Sequence, residues 1–207
     1  KRTGCRVTSI TLSKEQLEAA RKRADREGVA DRVRFEYRDY RDVEATFDRL
    51  VSIEMLEAVG HRRLGTYFAA CDRALAPGGR AVIQVITIPD QRYDEYRRNP
   101  DWIQKYIFPG GMLPSLDAMS RAMTRHSRLI VEHLENIGPD YAPTLRDWRG
   151  AFERSRDRLL ELGYPERIQR MWRYYFAYCE AGFAARILND LQLVLVRPGR
   201  PVKQHHL

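Results

Sequence analysis

The chain has 207 residues, 43% of them hydrophobic and 31% charged, with a formal net charge of +8. That balance describes a folded domain with one core and excludes a disordered chain, and no apolar run reaches the roughly 18 residues that span a bilayer. Cys5, Cys71 and Cys179 are an odd number without metal-ligand spacing, so reduced thiols in a cytoplasmic protein are expected rather than a disulfide framework.

In chain order, apolar runs alternate with helical patterns. Arg6 to Thr11 reads as a strand, and Ser13 as the N-cap of a helix that runs to Glu27 and stops at Gly28. Val33 to Tyr37 and Phe47 to Ile53 are strands. Leu64 to Leu75 is a helix closed by Ala76-Pro77-Gly78-Gly79, because helices commonly stop at Gly with Pro close by. Ala81 to Ile88 is the next strand, and Pro89 to Leu113 is a polar, aromatic insertion with part-helical character. Leu116 to His126 is a helix, and Leu129 to Asn136 a strand. Thr144 to Leu162 and Pro165 to Leu188 are long helices, and Leu191 to Arg197 is the last strand. One domain is expected over residues 1–198, with a frayed tail at 199–207. Short apolar runs separated by helices indicate buried parallel strands. Glu57 and Gln84 then fall near strand carboxyl ends, where open α/β sheets bind ligands.

The most specific pattern lies between Val51 and Ser115: VSIEMLEAVG, then LAPGGRAVIQVITIPD, then WIQKYIFPGGMLPS, with GPDYAPTLRDW further on. Strand, turn and helix, then LAPGG and another strand, resemble the carboxyl half of a class I S-adenosylmethionine-dependent methyltransferase. YIFPGG-x-LPS at its distance from LAPGG is similar to the cyclopropane-fatty-acyl-phospholipid synthase and mycolic acid methyltransferase family, and the likeness runs from Arg6 to Arg197. The resemblance implies a Rossmann-like α/β fold with a mostly parallel sheet and an antiparallel last strand. Class I methyltransferases begin with a strand and a Gly-rich turn under the cofactor, and nothing before Arg6 supplies either. The first strand and Gly-rich loop are therefore expected to be missing from this chain, which alone should hold the cofactor weakly.

The resemblance also implies an activity: transfer of a methyl or methylene group from S-adenosylmethionine to the double bond of an unsaturated phospholipid acyl chain. The product would be a cyclopropane or a methylene- or methyl-branched fatty acid. In that chemistry the alkene takes the methyl, leaving a carbocation, and bound bicarbonate removes a proton. Such a site holds a small oxyanion and surrounds a cation with π faces. The family pattern falls on Glu57, the Ile86 backbone, Tyr141 and Cys179. For Glu57 the alternative is a structural salt bridge. For Cys179 it is an inert buried thiol, since a reaction with an activated donor needs no thiolate. Two departures are visible. Ala58 and Gln84 stand where many family members have His, and a Gln amide can donate to an oxyanion but cannot pass a proton. The product is left open by that change.

On the cofactor side, Thr11 and Gln16 offer a hydroxyl and an amide after the first strand of this chain, with Leu12 beside them; Gln16 serves equally as a helix-start side chain. Asp39 and Tyr40 follow the next strand, where an acidic and aromatic pair can take an adenine amine and stack on its ring. Ordinary packing is the alternative for Tyr40. Ile53 matches the family's adenine-side position and is expected to be core in any case. The positive charge suits an anionic membrane surface and hence a cytoplasmic protein peripheral to the inner membrane face. Dispersed arginines on solvated helices explain it equally, and no signature supports nucleic acid. Homo-oligomerisation is open. The alternatives in function are a small-molecule N- or C-methyltransferase and a degenerate lipid- or nucleotide-binding module.

Overall fold

The computed structural model describes residues 2–199, so the tail expected at 199–207 lies outside the described residues from 200 onward. The chain divides into two compact units, Lys1–Ala45 and Thr46–Leu207.

In the first unit, strands β1 (Val7–Thr11) and β2 (Val33–Tyr37) pair in parallel, from Val7 opposite Val33 to Thr11 opposite Tyr37. Helix α1 (Lys14–Arg26) connects them and buries Leu17 and Ala24. The Ser13 hydroxyl accepts a hydrogen bond from the Gln16 backbone N–H at 3.1 Å, satisfying a donor that the first helical turn leaves without a partner.

The second unit carries a four-stranded sheet in the order β3-β4-β6-β5. Its strands are β3 (Phe47–Ile53), β4 (Leu75–Thr87), β5 (Ile130–Asn136) and β6 (Asn189–Val196). Strand β3 runs parallel to β4, and β6 is antiparallel to both β4 and β5. The last strand is thus antiparallel, as expected. Helices α2 (Leu64–Ala74), α3 (Asp90–Tyr96), α4 (Trp102–Tyr106), α5 (Leu116–His126), α6 (Gly138–Arg154), α7 (Arg156–Glu161) and α8 (Glu166–Ala184) complete the unit. Alternation decides what each strand presents. Ala81, Ile83 and Val85 of β4 and Leu191, Leu193 and Leu195 of β6 are buried on one face. Gln84, Ile86 and Gln192 therefore occupy the other. Tyr67 and Phe68 of α2 are buried in the core, each stabilising the fold by roughly 1.5–3 kcal/mol.

Four expectations are corrected. The helix ending at LAPGG stops at Ala74, because Leu75 is already extended and pairs with Phe47. The next pairing is Arg49 with Arg80, so Ala76-Pro77-Gly78-Gly79 is a bulge inside β4. Gly78 takes φ +79°, and a Cβ on Gly79 would lie 2.8 Å from the Ala76 carbonyl oxygen, while a bulge asks no ladder donor of Pro77. Second, GPDYAP belongs to α6 rather than to the loop before it, since Pro139 falls in a first turn whose N–H groups have no helical partners anyway. The expected single helix to Leu162 breaks at Ser155, whose hydroxyl donates to the Ala151 carbonyl at 3.0 Å. Third, α8 ends at Ala184, four residues early, where Arg186 adopts φ +55°. Fourth, Ile53 is not core: it is 56% exposed.

Candidate active site

The site is built on β4 and its two neighbours. Gln84 lies opposite Gln192 in the antiparallel β4–β6 ladder, and directly opposed side chains on one face touch. Gln192 Nε2 accordingly donates to Gln84 Oε1 at 2.9 Å. The Gln84 amide nitrogen reaches Glu54 Oε1 at 3.0 Å, the Tyr141 hydroxyl at 3.1 Å and Asp190 Oδ2 at 3.0 Å. Glu54 follows the end of β3, and its backbone N–H donates to the Gln84 carbonyl at 2.9 Å, which fixes it beside that residue. Asp190 is fully buried, and burial pushes its carboxyl up to about 6.

Glu57 sits in a 3-10 turn at Leu56–Ala58 that is anchored by buried Leu56. The Met112 N–H of the FPGGMLPS loop donates to the Glu57 carbonyl at 2.8 Å, which ties that loop to the SIEMLEAVG turn. Glu57 Oε1 accepts the Ile86 backbone N–H at 2.6 Å, and Oε2 is buried with no hydrogen-bond partner among the described residues. Burial pushes the Glu57 carboxyl up to about 7.

Tyr141, in the first turn of α6, stacks on Phe183 of α8 with ring centroids 4.9 Å apart. Its hydroxyl donates to Glu54 Oε1 at 2.7 Å, and burial together with that bond raises the phenol above its ordinary range. Glu54, Glu57, Ile86, Tyr141 and Cys179 all open onto one cavity of about 1200 Å³ that is otherwise walled largely by apolar and aromatic side chains, among them Phe108, Trp148, Tyr175 and Phe183. This exceeds the roughly 300–1,000 Å³ of common small-molecule pockets. Gln84 is not part of that wall; it stands behind Glu54 and Tyr141. Cys179 is buried, and burial pushes its thiol up to about 12, so it carries no thiolate near neutral pH.

The four residues singled out on catalytic grounds, Glu57, Gln84, Ile86 and Tyr141, therefore meet, with Cys179 on the same cavity. Glu54, Asp190 and Gln192 are members of the network that sequence reasoning missed. Glu54 lies inside SIEMLEAVG, but only the β3–β4 pairing shows that it faces Gln84. Of the cofactor candidates, Thr11, Leu12 and Gln16 lie together in the first unit. The Thr11 hydroxyl donates to Gln16 Oε1 at 2.8 Å, and Leu12 is 61% exposed. Asp39 accepts the Arg41 backbone N–H at 2.9 Å and its guanidinium at 2.9 and 2.8 Å, ahead of the short turn that begins at Tyr40. No helix among the described residues is long and apolar enough to cross a membrane.

Comparison with known proteins agrees with this geometry. The family model described as mycolic acid cyclopropane synthetase matches residues 1–193. A tuberculostearic acid methyltransferase of Mycobacterium tuberculosis is 45% identical over 198 residues, 96% of this chain and 46% of that protein. The cyclopropane-fatty-acyl-phospholipid synthase of Escherichia coli is 38% identical over 192 residues, 92% of this chain and 47% of that protein. The chain thus spans about half the length of these curated relatives. Among solved structures, a cyclopropane synthase from Mycobacterium tuberculosis superposes with a TM-score of 0.82 at 24% identity, over 92% of this chain and 70% of that one. That likeness bears out the Rossmann-like class I methyltransferase fold. With nearly its whole length matched, the chain belongs to the mycolic acid cyclopropane synthetase family.

Proposed function

We propose that this protein transfers a methyl or methylene group from S-adenosylmethionine to the double bond of an unsaturated phospholipid acyl chain. The product is a cyclopropane or a methylene- or methyl-branched fatty acid. One observation carries the reading: in a chain of this family, an apolar and aromatic cavity of about 1200 Å³ has the Glu57 carboxylate and the Ile86 N–H set into its wall. An acyl chain fits an apolar channel, and a positive charge developing at the alkene fits π faces such as the Tyr141–Phe183 stack. Relatives that include a tuberculostearic acid methyltransferase and a cyclopropane-fatty-acyl-phospholipid synthase support a lipid acyl chain as the acceptor. The inner face of an anionic membrane is the proposed place of action, reached from the cytoplasm and favoured by the net charge of +8.

S-adenosylmethionine, when bound, supplies an electrophilic methyl. The first unit fits its nucleoside: exposed Leu12 beside the Thr11 hydroxyl and the Gln16 amide makes an apolar face with a polar edge. Thr11, Leu12, Gln16, Asp39 and Tyr40 are the contacts proposed there, and exposed Ile53 is the one proposed in the second unit. Bicarbonate is the proton acceptor that the resemblance implies. The groups suited to hold it are the Ile86 N–H, Gln84 and Tyr141, and each of these already meets a carboxylate of the chain.

Lipid mass spectrometry of cells expressing the whole protein tests the reading. The expected result is a mass gain of one CH₂ per acyl chain, with the in-chain double bond replaced by a ring or by an exocyclic methylene, and two further hydrogens where a cellular reductant converts that methylene to a methyl branch. An unchanged lipidome with a methylated soluble amine would establish the small-molecule alternative. An absence of any methyl transfer would establish a binding module.

A further inference from the structure

The donors assigned to an external oxyanion are all turned toward carboxylates of the chain. The Ile86 N–H is 2.6 Å from Glu57 Oε1, and the Gln84 amide and the Tyr141 hydroxyl both point at Glu54 Oε1, at 3.0 and 2.7 Å. Of Glu54, Gln84, Tyr141, Asp190 and Gln192, only Glu54 and Tyr141 reach the cavity wall. Glu54 also holds φ at +50°, a left-handed conformation that a residue with a Cβ adopts only when its surroundings impose it. Its backbone N–H bond to the Gln84 carbonyl and its side-chain bonds to Gln84 and Tyr141 are that imposition.

We propose that Glu54 is the resident base of this site, its carboxylate standing in the donor cradle of Gln84 and Tyr141 where an external bicarbonate would otherwise be needed. The inference rests on methyl transfer to an acyl alkene. As the methyl forms its bond to one alkene carbon and its bond to sulfur breaks, positive charge falls on the neighbouring carbon. A proton then leaves the added methyl for Glu54, and its C–H electron pair closes a cyclopropane. If a hydride first shifts to the cationic carbon, the same proton loss gives an exomethylene. Glu54 ends as a carboxylic acid and returns its proton to solvent through its exposed side. Two donors on one carboxylate oxygen also restrain it from capturing the cation as an ester. Gln84 is then a positioning residue. Gln192 holds its oxygen and Asp190 shares its nitrogen, so its amide is fixed with the N–H groups toward Glu54.

Two variants test this in the whole protein. Glu54→Gly suits the backbone, because glycine adopts φ +50° without strain, and Glu54→Gln removes the basic oxygen. The first readout is binding of [¹³C]bicarbonate by NMR line broadening, without lipid or methyl donor. The parent should show no saturable binding and Glu54→Gly should gain it. The second is release of S-adenosylhomocysteine with vesicles of dioleoyl phosphatidylglycerol in carbon dioxide-free buffer. The parent rate should be indifferent to added bicarbonate. Glu54→Gln should lose about 10²-fold or more, the usual worth of a positioned base, and Glu54→Gly should regain turnover several-fold when bicarbonate is added. Equal bicarbonate binding by parent and Glu54→Gly, or a Glu54→Gln rate equal to the parent's, would overturn the assignment. A parent that excluded bicarbonate but transferred no methyl to lipid would refute the lipid reading and leave the occupied cradle standing.

Discussion

Replacing Glu57 by Gln should change how the stability of the protein depends on pH. Burial raises the Glu57 carboxyl from 4.5 in the unfolded chain to about 7 in the folded one. Below the lower value both states hold the proton and ionisation costs nothing. As pH rises through the window, the unfolded chain ionises freely while the folded one is held neutral or pays to ionise. Stability is therefore lost with rising pH. At about 1.4 kcal/mol per pKa unit, the loss approaches about 3 kcal/mol once pH exceeds the folded value. Glu57→Gln abolishes it. The amide oxygen can still accept the Ile86 N–H, but an N–H₂ group enters where Oε2 lies buried without a partner, a cost of about 1–3 kcal/mol that is independent of pH. The variant should thus be the less stable protein at about pH 5 and should gain roughly 2–3 kcal/mol relative to the parent by about pH 8. Asp190, also raised by burial, titrates in both proteins and largely drops out of the difference. Urea unfolding followed by tryptophan fluorescence at the two pH values measures it. Stability curves that stay parallel within about 0.5 kcal/mol would refute a buried, proton-holding Glu57.

Turnover of the whole protein should show no pH step near about 6.5 that traces to residue 84, because a Gln amide does not titrate in this range. Gln84→His should introduce one and shift product toward the cyclopropane; pure cyclopropane from both proteins by mass spectrometry would show that residue 84 does not steer the cation. Cys179→Ala should keep turnover within a few-fold, since the thiol is held neutral by burial, and lower stability by about 1 kcal/mol through lost packing. A loss of 10²-fold or more in turnover, with the fold intact by circular dichroism, would make the sulfur part of the chemistry.

Elements with local signals were legible in the chain. β2, β3 and α5 fall on the boundaries that alternation and capping indicate, and Ser13 caps α1 as its side chain suggests. Family motifs supplied what periodicity could not, including the antiparallel direction of β6. Reading failed where a local signal has two outcomes. Pro and Gly stop a helix, but whether the chain then turns or goes straight into a strand depends on a pairing partner, here Phe47 against Leu75. An apolar residue such as Ile53 announces burial, yet only the assembled sheet shows whether anything covers it.

Composition and motifs by themselves determined the α/β class, the family, and the residues Glu57, Ile86 and Tyr141 as a set. The tertiary structure alone decided what those residues do for one another. Glu54 acquires its place from Gln84 and Tyr141, 30 and 87 positions away, and Gln84 acquires its orientation from Asp190 and Gln192, 106 and 108 positions on. Hydrogen bonds of this kind are set by strand register and by which face a side chain leaves the sheet. Register is a property of two segments together, so neither segment's own sequence encodes it.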